Sequence, residues 1–282
     1  ARPDPFLMYD DDHLLQAALA EDIGSGDLTT LGTVPEGSKC RATLFAKSDG
    51  VLSGIGLFRR VFELLDADVD DWEAMWDGAP YSAGDEVARF TALTAATLTG
   101  ERTALNILQR LSGTATLTRA FVDAVAGLNT SIVDTRKTTP LWRKHEKAAV
   151  RHGGGRNHRQ DRILIKEKDS AAPGSIAAAV QGAAEAGHHL IKVEVEIQRL
   201  EQIDEAVGAG VAAVLLDNMT LDDMREAVEQ LHRHNIVVEA SGNMSVDRVR
   251  SVAETGVDMI SVGALTHSAP AADLSLLIEA QS

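Results

Sequence analysis

The stretch Val211-Ala-Ala-Val-Leu-Leu-Asp-Asn-Met-Thr220, continued by Leu221-Asp-Asp-Met-Arg-Glu-Ala-Val-Glu-Gln-Leu-His232 and by Ile236-Val-Val-Glu-Ala-Ser-Gly-Asn243, decides the fold. Val211–Leu216 is a short apolar run that reads as a buried strand and breaks into polar chemistry at Asp217 and Asn218. Thr220 then stands as an N-cap before a helix that puts Met224, Val228 and Leu231 on one face. A second apolar run, Ile236–Ala240, ends in Ser241-Gly242-Asn243. Strand, amphipathic helix and strand in this order are a βαβ unit, and such units build a parallel sheet.

The same alternation extends outward to about Ser131. Further strands are expected at Ser131–Asp134, Ile163–Lys166, His189–Glu194 and Met259–Val262. A helix after Ser245 turns Val246, Val249 and Val252 inward, with Gly256 just past its end. Each strand finishes in polar or glycine residues: Asp134-Thr-Arg-Lys, Lys166-Glu, Glu194-Val-Glu196, Asp217-Asn218, Ser241-Gly242-Asn243 and Gly263. In a barrel of βα units the carboxyl ends of the strands carry the active site, so these six clusters converge on one mouth.

The first hundred residues differ. They contain shorter alternating strands at Cys40–Lys47 and Asp85–Thr91 and a helix at Leu57–Leu65, which implies a separate α+β domain. A helix over Glu101–Leu111 buries Ala104, Ile107, Leu108 and Leu111 and leaves Arg102 and Asn106 off that face. Arg102 falls in the first turn of that helix, where the dipole opposes a cation, so a ligand role is expected for it.

With 282 residues, 44% of them hydrophobic, the chain can bury a large core. Cys40 is alone and forms no intramolecular disulfide, and the opening Ala-Arg-Pro-Asp-Pro-Phe lacks the apolar run of a secretory signal. No run of about 18 apolar residues occurs, so no membrane span is expected and a reducing cytoplasm is the expected location. The formal net charge of −15 hides a segregation. From Asp134 to Lys168 there are eleven Lys and Arg against four acids, which leaves only 16 of the chain's 27 basic residues but 38 of its 42 acidic ones elsewhere. A cationic island in an acidic protein attracts small anions. Arg143, Lys144 and Lys147, spaced along one helix, are better read as partners of nearby acids.

Asp134-Thr-Arg-Lys-Thr-Thr-Pro and Gly153-Gly-Gly-Arg-Asn-His-Arg159 are the segments in which the chain most closely resembles the quinolinate phosphoribosyltransferases. The resemblance covers nearly the whole sequence. It also includes Glu21-Asp-Ile-Gly-Ser-Gly-Asp-Leu-Thr-Thr30, Glu101-Arg-Thr-Ala-Leu-Asn106, Leu164-Ile-Lys166, Glu194-Val-Glu196, Leu216-Asp-Asn218, Glu239-Ala-Ser-Gly-Asn243 and Ser261-Val-Gly-Ala-Leu-Thr-His267. It implies a type II phosphoribosyltransferase: an open α/β sandwich over 1–113, with the tail 270–282 available to pack on it, and an incomplete α/β barrel over 114–269. It implies a homodimer in which Arg102 of one subunit completes the other's site. The implied reaction joins quinolinate to phosphoribosyl diphosphate, releases diphosphate and CO₂, and yields nicotinate mononucleotide.

A pyridine dicarboxylate requires forked donors, which guanidinium groups supply at fixed geometry, so Arg102, Arg136 and Arg159 are the candidates for its carboxylates. Lys137 and Lys166 add point charges for the acceptor or for donor phosphates, and His158 adds a directional donor. Ser241, Gly242, Asn243, Gly263 and Ala264 are expected to cradle phosphate, because glycine allows the backbone to approach an anion. Glu194 and Asp217, read as the ends of adjacent strands, are the expected Mg²⁺ ligands, and zinc is not expected because no His/Cys cluster is evident. Catalysis is assigned to Lys137, Lys166, Glu194 and Asp217 through positioning and electrostatics, with no covalent nucleophile.

The family pattern is interrupted at Thr139-Pro-Leu-Trp-Arg143, at the short spacer Gln160–Ile163 and at Lys166-Glu-Lys-Asp169. These departures leave open a transferase of the same fold with another anionic acceptor. A Schiff-base aldolase using Lys166 or Lys192 is a more distant alternative. A nucleic-acid binder is disfavoured by the 4% aromatic content.

Overall fold

The computed structural model describes residues 11–65, 68–158, 162–166, 175–186 and 192–281. The chain folds as two compact units: one of residues 1–117, 138–154 and 268–282, the other of 118–137 and 155–267.

The first unit opens with helices α1 (Asp11–Ile23) and α2 (Leu28–Thr33), the latter capped by Asp27, whose carboxylate accepts the Thr30 amide at 3.1 Å. Strand β1 (Lys39–Ala46), the short β2 (Gly50–Val51), α3 (Ile55–Glu63), β3 (Asp70–Ala74), the short β4 (Pro80–Tyr81) and β5 (Glu86–Leu93) follow. Helix α4 (Thr94–Ala124) is 31 residues long. The final strand, β12 (Leu274–Ala280), returns to this unit, giving an antiparallel sheet in the order β12-β1-β5-β3. Apolar faces of α1, α3 and α4 pack into one core with the sheet, including Leu15, Leu44, Phe58, Phe62, Phe90, Leu108 and Leu111. Phe58 and Phe62 meet edge to face at 5.2 Å between centroids, a geometry favoured by the ring quadrupoles.

The α4 helix begins seven residues before the expected Glu101 start. Thr and Gly in Thr94–Gly100 are poor helix formers, but Ala96 and Thr97 are buried and the Thr97 hydroxyl donates to the Leu93 carbonyl at 2.9 Å. Packing overrides propensity there. Arg102 is therefore well inside the helix rather than in its first turn, and the dipole no longer singles it out.

The second unit holds β6 (Ser131–Val133), β7 (Arg162–Ile165), α6 (Ile176–Ala186), β8 (Lys192–Ile197), α7 (Ile203–Gly208), β9 (Ala213–Asp217), α8 (Leu221–His232), β10 (Val237–Ser241), α9 (Val246–Ala253), β11 (Met259–Ser261) and the single-turn α10 (Ala264–His267). Helix α5 (Arg143–His152) belongs to the first unit. The six strands form one parallel sheet in the order β6-β11-β10-β9-β8-β7, the architecture expected from the βαβ unit at 211–243. Thr220 caps α8 by accepting the Asp223 amide at 3.2 Å, and Met224, Val228 and Leu231 are buried as their spacing requires.

Strand β8 departs from expectation. It runs to Ile197, so Glu194 lies within the strand instead of ending it. Successive side chains alternate between faces. Glu194 and Glu196 share one face, while Val195 and Ile197 are buried on the other.

Candidate active site

The site is assembled in the second unit from strand ends and from the segment after the glycine run. Arg156 forms a parallel bridge with Val133, which brings the chain after Gly153-Gly-Gly155 alongside β6. Two residues on, the His158 amide donates to the fully buried Asp134 carboxylate at 2.7 Å. A buried carboxylate accepting a backbone N–H is a strong, directional tether. The His158 ring faces two other acids: Nε2 is 3.7 Å from Glu194 Oε2 and 3.5 Å from Glu239 Oε2. These are ion-pair separations, longer than good hydrogen bonds. Both glutamates are essentially inaccessible, at 0% and 1% side-chain exposure. Glu194 and then Glu239 push the imidazole pKa up to about 10, against the opposing effect of burial. At neutral pH His158 is an imidazolium.

The acids expected to share Mg²⁺ are separated by the sheet register. Glu194 pairs with Ala213 at the start of β9, whereas Asp217 ends that strand. Four residues of extended chain place them about 13 Å apart along the strand direction. Glu196 is the better partner for Asp217. It is opposite Leu215, on the same face and two residues short of Asp217, so the two are diagonal neighbours about 8 Å apart at Cα. Both are half-buried, leaving oxygen ligands accessible to a hydrated cation. Gln198 Nε2 and Asn218 Nδ2 also reach Asp217 Oδ2, at 3.4 and 3.0 Å. The carboxylates at this end of β8 and β9 fit a hard divalent ion.

The glycine-bearing strand ends are tightly constrained. Gly242 has φ +100°, and a Cβ built there would overlap Asn218 Oδ1. The Asn218 amide donates to the Ser241 carbonyl at 3.1 Å, and Asn218 and Asn243 also adopt positive φ. At Gly263 a Cβ would lie 3.0 Å from Lys137 Cδ and 3.1 Å from His267 Nε2. Lys137 is thus laid across Gly263, and its carbonyl accepts the Thr266 hydroxyl at 2.8 Å. Ala264 begins α10.

Of the expected site residues, the structure brings His158 and Glu194 together, and separately Asp217, Ser241, Gly242 and Asn243, and Lys137 with Gly263. Arg136, Lys137 and Lys166 are exposed at the ends of β6 and β7. Arg102 is exposed on α4 of the first unit. Arg159 lies outside the described residues, as do 160–161 and 167–169 of the altered segment. Glu239 carries no expected role from the sequence, where its signal is a lone acid inside the apolar run Ile236–Ala240. Lys144 pairs with Asp11 at 3.0 Å, the expected acid partner, whereas Arg143 donates to Thr138 Oγ1 at 2.9 Å and Lys147 is buried.

A parallel α/β unit whose strand ends gather cations, acids and glycine turns, in one chain with an antiparallel-sheet unit, defines the class of type II phosphoribosyltransferases. The chain belongs to the quinolinate phosphoribosyl transferase family: the family's N-terminal domain matches residues 27–112 and its C-terminal domain residues 114–277. It is 42% identical over 266 residues to the probable carboxylating nicotinate-nucleotide pyrophosphorylase of Bacillus subtilis, covering 93% of this chain and 91% of that one. It is 37% identical to the carboxylating nicotinate-nucleotide pyrophosphorylase of Mycobacterium leprae, over 93% and 95% of the two chains. Among solved structures, NadC from Streptococcus pyogenes superposes with a TM-score of 0.91 at 38% identity, covering 96% of this chain and 97% of that one.

Proposed function

We propose that this chain transfers phosphoribose from phosphoribosyl diphosphate to quinolinate with loss of CO₂, forming nicotinate mononucleotide. The observation that carries the reading is the set of cations Arg136, Lys137, Lys166 and imidazolium His158 at the ends of β6 and β7 or beside β6, in a chain otherwise rich in acids. A dicarboxylate matches such a set better than a monocarboxylate does, because its second carboxylate engages further cations of the set.

Arg136 and Arg159 bind acceptor carboxylates, and His158 donates from its ring. Lys137 and Lys166 neutralise the acceptor or the donor phosphates. The backbone amides at Ser241–Asn243 and Gly263–Ala264 approach the donor phosphates. The pyridine nitrogen forms a bond to the anomeric carbon as the bond to diphosphate breaks. The bond from C2 to its carboxylate then breaks, CO₂ leaves, and a proton replaces it on C2. Asp217 and Glu196 would hold Mg²⁺, which supplies charge neutralisation for the departing diphosphate.

Arg102, exposed on α4, is available to a second copy of the chain, which supports a homodimer with a shared site. No helix among the described residues is long and apolar enough to cross a membrane. That fits the cytoplasmic location we assign. The test is turnover of quinolinate and phosphoribosyl diphosphate with and without Mg²⁺: loss of activity in excess chelator, restored by Mg²⁺, is expected, and full activity in chelator would remove the metal from the reading.

A further inference from the structure

Glu194 and Glu239 come from strands that are not neighbours, since β9 lies between β8 and β10. Strand axes two apart are separated by about 9.6 Å, yet both side chains reach one imidazole nitrogen. In the register Glu194 is level with Ala213 of β9 and Glu239 with Leu215, so the two acids are also offset by two residues along the strands. Among the described residues neither oxygen of buried Glu239 has a hydrogen-bond partner, although burying a carboxylate is costly. Nothing in the proposed chemistry uses this residue. What it has is His158, 3.5 Å from its Oε2.

We propose that Glu239, acting with Glu194, is a positioning residue that fixes the His158 ring for the acceptor carboxylate by holding Nε2 between two buried anions. The inference rests on the reading of His158 as an acceptor-binding residue and deepens it. The backbone of His158 is tied to Asp134 and the ring to the two glutamates, so both the position and the rotation of the imidazole are set before a ligand arrives. Nδ1 is then the ring donor turned to the acceptor. Preorganising a donor in this way is how buried ion pairs serve a binding site. The ligating atoms of His158, Glu194 and Glu239 all lie within 4.8 Å of one another, so a metal ion is the competing occupant. A metal ion there would have to displace the Nε2 proton, so the protonation of the ring distinguishes the two occupants.

The test uses the whole protein with Glu239→Gln, Glu239→Asp and Glu194→Gln, each checked for folding by thermal melting. KM for quinolinate should rise about tenfold or more in E239Q, the loss of a fixed charge-assisted contact. KM for phosphoribosyl diphosphate should stay within about twofold, and E239D should recover part of the loss. Equal movement of both constants in folded E239Q, or no movement, overturns the proposal. A second readout needs no substrate: ¹⁵N NMR of the wild-type protein, with His158 assigned through a His158→Gln variant, should show both ring nitrogens protonated at pH 7.5. A neutral ring, or a bound metal ion that is lost in Glu239→Gln but kept in Asp217→Asn, also overturns it. If wild-type protein does not use quinolinate while the ring is doubly protonated, the acceptor reading fails and the clamp survives.

Discussion

Gly242 and Asn218 occupy the same space as closely as two residues on adjacent strand ends can: the asparagine Oδ1 sits where a Cβ on residue 242 would be. The contact joins the turn after β9 to the turn after β10. Gly242→Ala must move Asn218, whose side chain holds Asp217 at 3.0 Å, and must hold alanine at φ +100°. The left-handed backbone alone costs about 1–2 kcal/mol. Turnover should therefore fall by more than tenfold while the fold persists, as read by steady-state kinetics beside a thermal melt. Unchanged kinetics would mean that this turn lies away from the donor.

A second glycine tests the first unit. A Cβ on Gly113 of α4 would overlap the Pro270 carbonyl oxygen, a backbone atom that cannot swing aside. Overpacking costs about 1–3 kcal/mol, occasionally more. Gly113→Ala should lie at the upper end and lower Tm by several degrees, because the segment leading into β12 must shift.

Glu146 is fully buried in α5, where it accepts the Thr139 amide at 3.0 Å and the Thr139 hydroxyl at 2.7 Å and pairs with Arg110 at 3.7 Å. It thereby ties Thr139 to α5 and α4. Hydrogen bonds to a charged group contribute about 1.5–3 kcal/mol. Glu146→Gln should cost about that much in denaturant unfolding, and an unchanged midpoint would show that the amide replaces the carboxylate without loss.

His158 makes stability depend on pH. Its folded pKa, about 10, is raised above the ordinary 6.5. The folded state therefore holds a proton that the unfolded chain has released, and the stabilisation is complete below about pH 6.5 and lost progressively as pH rises towards 10. Urea midpoints of wild type should decline over that window more than those of His158→Gln. Parallel profiles would contradict the ion-paired ring.

Much of the second unit is legible in the sequence because its signals are local. The cap at Thr220, the 3.6-residue spacing of Met224, Val228 and Leu231, and the polar break at Asp217 each survive in the structure. The acids of β8 are not legible in the same way. Glu194 and Glu196 interrupt the apolar run, so the sequence alone ends the strand three residues early and pairs Glu194 with Asp217. Only long-range contacts show that Glu194 belongs with Glu239, through the His158 ring, and only the sheet register shows that Glu196 is nearer Asp217. The first-turn placement of Arg102 fails for a related reason, since packing extends α4 backwards through threonines and a glycine.

Quinolinate turnover is tested most directly by incubating the wild-type protein with phosphoribosyl diphosphate, Mg²⁺ and quinolinate labelled in its 2-carboxylate, and measuring released label, diphosphate and nicotinate mononucleotide together, with nicotinate as the parallel acceptor. Equal amounts of CO₂, diphosphate and nicotinate mononucleotide are expected from quinolinate, and far slower diphosphate release with nicotinate. Diphosphate release with nicotinate or another pyridine acid, and none of the three products from quinolinate, would contradict the assignment.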